Sequence, residues 1–572
     1  MERRLLLVFA LTFLVIVLFQ PLLKKYLPQP AAPSAPTPTQ ERAPASAPPI
    51  LNTSPHEISA GKMPLSPSGT KQAASELETV VENDLYRITF TNRGGQVKSW
   101  ILKKYDDDQG RPLELISKVA AEKYGWPLSL WTYDANLRNT LNSGLYVQGA
   151  SSSSLHPPAQ ITFEYADQGV AVHKKFDFDE SYVIRVETSV AVNGGLTAAY
   201  PAWPAGFGDQ VTPAGYAASR IEYQNNGSVE RIAFKKVSGG ATVQGPFNWF
   251  GVTDQYFAAV FLPEDTQTVG GVTLRNPLDV PKDAKNPQET TKVDVLGAAA
   301  GSAKGPTLEK VYVGPKEVKT LESVPVPSII GSSPDLRSLV NFGFFGVIAR
   351  PLFIWLRWTY QFVRNWGWAI VIQTLIISVA LLPLRISSMK SALKMQKIQP
   401  QMNAIKEKYK KYTMRDPRRQ EMNTEIGELM KREGVSPLGG CLPLLIQLPF
   451  LYAYYAMLGV AIDLRHAHWL WIRDLSSRDP IYLLPIGIII TMLFTQRMTP
   501  QAGMDPAQQR MMNVMMPMMM GIISLNLAAG LCLYWAESQL IGVVQQVIMN
   551  RTSLGREMRE MALKRARKKA KT

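Results

Sequence analysis

The chain has 572 residues, 46% of them hydrophobic and 19% charged, with a formal net charge of +16. Those values exclude a disordered polyelectrolyte, and two cysteines in such a length exclude a disulfide framework. The charge is concentrated: residues 385–433 hold 13 Lys/Arg against 6 Asp/Glu, and residues 551–572 hold 9 against 2. Blocks of this kind mark cytoplasmic loops beside membrane spans, and they attract anionic lipid or RNA.

Residues 1–27, "MERRLLLVFALTFLVIVLFQPLL" and onward, place Arg3 and Arg4 before an apolar run. A cleaved signal peptide would look similar. No small-x-small site follows, and Lys24 and Lys25 come first, so a retained transmembrane anchor is expected, N-terminus in the cytoplasm. Residues 28–75 are rich in Pro, Ala and Ser and read as an extended linker. Over 76–330 the pattern becomes short and alternating. Tyr86, Ile88 and Phe90 alternate with Arg87, Thr89 and Thr91, Asn92-Arg93-Gly94-Gly95 is a turn signal, and Phe176 and Phe178 alternate with Asp177 and Asp179. Many such strands make a β-sandwich, which must stand on its own core because both cysteines, Cys441 and Cys532, lie elsewhere.

Residues 331–365 interleave Phe342, Phe345, Phe353, Trp355 and Trp358 with Arg337, Arg350, Arg357 and Arg364, the mixture of an interfacial amphipathic helix. Within 366–550 five apolar spans follow, at about 366–384, 440–459, 481–496, 512–527 and 529–549. Between the first two, residues 386–433 repeat Met395, Ile398, Met402, Ile405 and Tyr409, then Met422, Ile426, Leu429 and Met430, at helical spacing. That is a cytoplasmic helical hairpin, a small paddle. The basic tail, 551–572, returns to the cytoplasm, and it is a candidate ribosome contact. With residues 28–330 outside, every loop obeys the positive-inside rule.

No HExxH, GxSxG, P-loop or paired CxxC occurs. His466 and His468 flank Ala467 beside Trp469 and Trp471, with no further ligands nearby, so an interfacial belt is expected rather than a metal site. The chain reads as a non-enzyme without metal or cofactor. The unusual features are polar groups inside spans: Gln373, Thr374 and Ser378 in the first, Gln447, Tyr454 and Tyr455 in the second, Tyr534, Glu537, Ser538 and Gln539 in the last. Thr374, Ser378 and Arg385 share one helix face, and Glu537 sits about 12 Å deep at roughly 1.5 Å per residue. Interhelical glue explains single Ser, Thr or Gln residues; a shared, water-accessible cavity explains them together with Glu537. "RMMNVMMPMMM", with Met515, Met516 and Met518, reads beside Arg385, Met395 and Met402 as an adaptable apolar landing surface at the cavity entrance. Pro437 to Gly440 turns the chain into the second span, and Pro443 and Pro449 are expected to bend it.

"PLGGCLPLLIQLPFLYAYYAML", "RNWGWAIVI", "MKSALKMQKIQPQM", "MTPQAGMDPAQQRMM" and "GLCLYW" resemble the YidC/Oxa/Alb membrane insertase family, and "NDLYRITFTNRGGQVKSWIL" fits its Gram-negative form. The resemblance implies a five-helix membrane core with a hydrophilic groove open to cytoplasm and lipid, a periplasmic β-supersandwich and residence in the bacterial inner membrane. It implies a membrane protein insertase and chaperone acting alone or with the Sec translocon on nascent integral membrane proteins in the lipid bilayer, with no role on DNA. Thr374 and Tyr455 match groove positions of the family. Ser378 stands where the family usually carries a positive residue, with Arg385 the nearest on that face, and Glu537 replaces an apolar residue. The expectation is therefore a groove kept wet by Gln373, Thr374, Ser378 and Glu537. A transporter would instead show inverted repeats, and a membrane-anchored sugar-active enzyme would show a convergent acid/base pair in the sandwich.

Overall fold

The computed structural model describes residues 69–560, apart from 150–151, 226, 284–285, 327–334, 413–415, 436–441, 499–510, 554–555 and 558–559. The expected anchor, nearly all of the linker, the Pro437–Gly440 turn and most of the tail lie outside the described residues.

Strands dominate up to Pro315 and assemble into three sheets. A ten-stranded sheet runs from Ser228–Ala233 at one end, through Phe257–Pro263 and Thr307–Pro315, to Val170–Phe178, Ala159–Asp167 and Val147–Gly149. One five-stranded sheet centres on Tyr86–Thr91, flanked by Glu78–Glu82 and Gln96–Asp106. The other is ordered Ala241–Gln244, Val269–Asp283, Asn286–Ser302, Tyr200–Trp203, Ser129–Trp131. The period-2 pattern decides which face goes inward. Tyr86, Ile88 and Phe90 are fully buried while Arg87 is exposed, and register pairs Val186 with Phe176 and Ile184 with Phe178 on the facing sheet. The two inner faces meet at Phe90, whose ring lies 5.1 Å from Phe176 and 5.7 Å from Phe178.

The turn between the first strands is held from below. Gly94 and Gly95 take left-handed φ of +67° and +54°, which suits glycine, and this turns their carbonyls inward. Lys174, fully buried, donates to the carbonyls of Gly94 (3.0 Å), Gly95 (2.7 Å) and Leu128 (2.7 Å). Three donors meet three acceptors, so the desolvated ammonium is satisfied.

From Gly346 onward the chain is helical. α1 (Gly346–Val363) buries Ala349, Leu352, Phe353 and Leu356 and exposes Ile354, Trp358 and Phe362. It starts later than the expected residue 331, because Leu336 and Leu339 belong to the sandwich core and Gly343, at φ +66°, breaks the helix. α2 (Trp366–Ala380) is capped by Asn365, whose side chain accepts from the Trp368 N–H. It then bends by 47° into α3 (Leu382–Lys408), where Pro383 in the first turn lacks the N–H that would continue the ladder. α3 and α4 (Arg418–Arg432) form the hairpin, closed by Ile398, Met402, Tyr409, Met422, Ile426 and Leu429. α5 (Leu442–Val460), α6 (Leu483–Met498), a π-helical turn (Met511–Met515) running into α7 (Met516–Ser524), and α8 (Ala529–Arg551) complete the region. Pro443 falls in the first turn of α5, where no hydrogen bond is owed, so only Pro449 interrupts that helix. Among the described residues no single helix is long and apolar enough to cross a membrane. α2 with Leu382–Ser388 meets that standard as a bent pair, and α6 and Asn513–Ser524 are shorter apolar helices.

The connection after α5 plugs into the sandwich. Ile462 joins the sandwich core, Arg465 lies over the rings of Tyr256 (5.8 Å) and Phe257 (5.7 Å), and Gln255 donates to the Gly459 carbonyl (2.9 Å). His466 faces Asp108 at 3.3 Å rather than pairing with His468.

Burial holds the Lys174 ammonium down at about 7, below the roughly 10.4 of an unfolded lysine. The unfolded chain therefore binds more protons between those values, and stability at this turn rises as pH climbs from about 7 to 10. Hydrogen exchange across residues 92–96 of the full chain should show that rise. Lys174→Met should abolish it and raise the exchange rate by the equivalent of about 2–3 kcal/mol, because three carbonyls lose their donor. A pH-independent wild-type protection would contradict this.

Candidate functional site

α1, α2, α5 and α8 converge on a set of polar side chains. Tyr454 on α5, fully buried, stacks on Tyr534 of α8 with centroids 3.9 Å apart and planes within 11°. Its hydroxyl donates to Gln373 Oε1 on α2 at 2.6 Å, and Gln373 Nε2 donates to the Leu352 carbonyl on α1 at 3.0 Å. One carboxamide thus ties three helices. Thr374, beside it, donates to its own turn at Ile370 (2.7 Å), and its oxygen faces both Tyr454 and Glu537. The Glu537 Oε2 is buried without a hydrogen-bond partner among the described residues.

Further along α2, toward the hairpin, the character changes. Ser378, Arg385, Gln447, Phe450, Tyr534 and Ser538 line a cavity of about 30 Å³, room for about two waters. Gln447 Nε2 donates to Ser538 Oγ at 2.8 Å. Arg385 Nη1 donates to Gln545 Oε1 at 2.7 Å, and Gln545 Nε2 donates to the Ser378 carbonyl at 3.3 Å. The guanidinium lies directly over Gly542: a Cβ there would come within 2.8 Å of Nη1. Among the described residues Arg385 has no carboxylate partner; its guanidinium is held by the Gln545 amide and faces the cavity.

The other end of these helices is closed by the connection before α6. The Ala529 N–H donates to the Ser477 carbonyl (2.6 Å) and the Gly530 N–H to the Leu475 carbonyl (2.8 Å), so the first donors of α8 are consumed by a loop. Gly530 permits the approach, since a Cβ would sit 3.2 Å from the Leu475 oxygen.

The sequence-derived residues therefore separate. Ser378, Arg385 and Gln447 come together around the cavity. Gln373 and Thr374 do not wall a wet groove: both are fully buried and their hydrogen bonds end on protein, because a buried amide without partners is costly. Tyr455 is half-exposed at 51% and packs near Tyr452 at 5.9 Å, since one helical step turns it away from Tyr454. Met402 is not a landing surface. It lies in the hairpin's own core with Met395 packed at its edge, because two helices of this length must bury their shared stripe. Met515 and Met518 are exposed and Met516 half-buried, as an apolar surface requires. Gln545 and Gly542 were missed, although their spacing of seven and four residues from Ser538 places them on its helix face.

Comparison with known proteins follows the same division. Residues 78–355 match the model of the YidC periplasmic domain, and residues 358–556 match that of the 60Kd inner membrane protein. The membrane protein insertase YidC of Geobacter sulfurreducens is 31% identical over 484 residues, covering 82% of this chain and 85% of that protein. This chain belongs to the YidC membrane protein insertase family. The YidC of Geobacter metallireducens is 31% identical over 547 residues, 92% of this chain and 94% of that one. A crystal structure of an active YidC insertase is 19% identical, with a TM-score of 0.34 over 84% of this chain and 94% of that one. The YidC family thus accounts for both the β-sandwich and the helical C-terminal region.

Tyr454→Phe should lower the thermal midpoint by the equivalent of about 1–2 kcal/mol, the cost of stranding the Gln373 oxygen. Gln373→Leu in addition should cost less than the sum of the two single changes, because the pair is one unit. A Tyr454→Phe protein that melts with wild type would contradict the tie.

Proposed function

We propose that this chain is a membrane protein insertase and chaperone of the bacterial inner membrane, working through the Arg385 cavity. Its observation is a half-buried guanidinium without a carboxylate partner among the described residues, facing Ser378, Gln447 and Ser538 across a small cavity between otherwise apolar helices. α2 with the start of α3, α5, α6, α7 and α8 form the five-helix core, anchored further by residues 1–27, with both termini cytoplasmic and residues 28–330 periplasmic. Met515, Met516 and Met518 receive apolar segments on the cytoplasmic side. Clients are nascent integral membrane proteins, delivered by the ribosome through the basic tail, alone or with the Sec translocon. No covalent step and no cofactor is required.

The mechanism is one of solvation. Carrying a polar segment through about 30 Å of hydrocarbon is prohibitive. In the cavity a carboxylate of the client's translocated tail exchanges places with Gln545 and gains a charge-assisted bond to Arg385. Ser378, Gln447 and Ser538 take its neighbouring polar groups. Arg385 thereby supplies, two turns along the same face, the positive charge that position 378 lacks. The client's apolar helix then gains roughly 25 cal/mol per Å² by moving out to lipid, and the tail follows. The loop that consumes the Ala529 and Gly530 donors supports a groove closed on the periplasmic side.

In proteoliposomes, Arg385→Gln should cut insertion of a two-span client with an acidic translocated tail by about tenfold or more, and of a neutral-tailed client far less. Gly542→Leu, which displaces the guanidinium, should reproduce the defect without adding to it. Wild-type insertion of the acidic-tailed client by Arg385→Gln would overturn the mechanism.

A further inference from the structure

The sandwich holds a second concave site, far larger than the one between the helices. A cleft of about 590 Å³ lies over the sheet of Tyr200–Trp203 and Val269–Asp283 and is walled by the helices Lys118–Tyr124 and Ala135–Ser143. That volume falls in the range of about 300–1,000 Å³ occupied by small-molecule sites. Its floor is small and apolar, with Ala202 and Leu274 beside the half-exposed indole of Trp131. Across the floor, the Tyr133 and Thr242 hydroxyls join the two edge strands of the sheet, curling it into a trough.

The charges around the trough are one-sided. Lys123, Arg138 and Arg275 line it, and no carboxylate does. Arg275 is spent: it donates to Asp294 at 2.6 and 3.0 Å and to the Val237 carbonyl at 2.9 Å. Lys123 and Arg138 are in no ion pair among the described residues. Arg138 instead stacks over Trp131 at 5.6 Å with Nη1 on the Thr132 carbonyl at 3.0 Å, so the guanidinium and the indole present one rigid corner. Asn139 and Asn276 face the same space with side-chain amides that make no hydrogen bond within the described protein.

A peptide joining the sheet on the side of the helix Ala135–Ser143 would need the edge of Ser129–Trp131. Asn142 occupies it: Oδ1 accepts from the Leu130 N–H (2.8 Å) and Nδ2 donates to the Leu130 carbonyl (2.9 Å). Strand addition is blocked there, and recognition must run through side chains. An apolar floor edged by an indole for the C–H face of a pyranose, amides for hydroxyls, and two cations outside any described ion pair for an acidic group are the elements of a sugar site.

We propose that this cleft binds an anionic oligosaccharide, packed along the Ala202 and Leu274 floor beside Trp131 with its carboxylate or phosphate between Arg138 and Lys123. The proposal is independent of the insertase reading, since the hydrogen bonds and ion pairs that these residues make among the described residues stay within the sandwich.

The test is saturation-transfer NMR on the full chain in nanodiscs with four probes. These are a glucuronate-containing tetrasaccharide, a mannose-phosphate tetrasaccharide, a neutral glucose tetrasaccharide and an aspartate-rich hexapeptide. Binding of either acidic sugar about tenfold more tightly than the neutral one is expected, the tighter of the two naming the acid group. Arg138→Gln and Trp131→Ala should each weaken it about tenfold. Lys123→Gln, at an exposed position that cannot disturb the fold, should do so as well. Equal binding of the neutral sugar, preference for the peptide, or wild-type binding by Lys123→Gln and Arg138→Gln together would overturn the proposal.

Discussion

The helical region depends on how a single carboxamide is buried. Gln373 has no exposed surface, and it is tolerated because Tyr454 fills its acceptor and the Leu352 carbonyl its donor. That satisfied unit fixes α1, α2 and α5 relative to one another, and the Tyr454–Tyr534 stack brings in α8. With those helices set, Ser378, Arg385, Gln447, Ser538 and Gln545 have no choice but to face a common space. A fully packed tier supports a second one that opens on a small polar cavity.

Solvation divides the two tiers. In the packed tier each donor ends on protein, so its polar groups contribute geometry and offer nothing to a client. In the cavity tier the strongest donor, Arg385, is matched among the described residues only by the neutral Gln545. A neutral partner is readily exchanged for a charged one, whereas a carboxylate already in place would hold the guanidinium shut. Glu537 does not supply that carboxylate, because it is turned toward Thr374. The sandwich is braced against this assembly through Ile462 and Arg465, yet keeps its own cleft on a different face.

Much of this was legible in the residues. Strict alternation at Tyr86, Ile88 and Phe90 announces a half-buried strand, and three-four spacing from Met395 to Tyr409 announces a hairpin stripe, because both are local periodicities. The charge blocks and the insertase motifs are likewise local. Pairings between distant segments were not legible. Gln373 meets Tyr454 across 81 residues, Gln447 meets Ser538 across 91, and Arg385 meets Gln545 across 160. A sequence marks Gln373 and Ser378 alike as polar residues in a span; only packing makes one a dry crosslink and the other a cavity wall. Tyr454 and Tyr455 pose the same problem, one helical step apart.

The central claim is that the polar cavity, and not the outer apolar surface, is what a client's hydrophilic tail meets. The direct measurement places a photoreactive phenylalanine analogue at Phe450, which lines the cavity, or at Leu375 and Tyr455, which face outward. Each protein is then irradiated with a stalled two-span client. Adducts between Phe450 and the client's polar tail, with Leu375 and Tyr455 reaching only its apolar helix, are the predicted result. Tail adducts at Leu375 or Tyr455 with none at Phe450 would contradict the account.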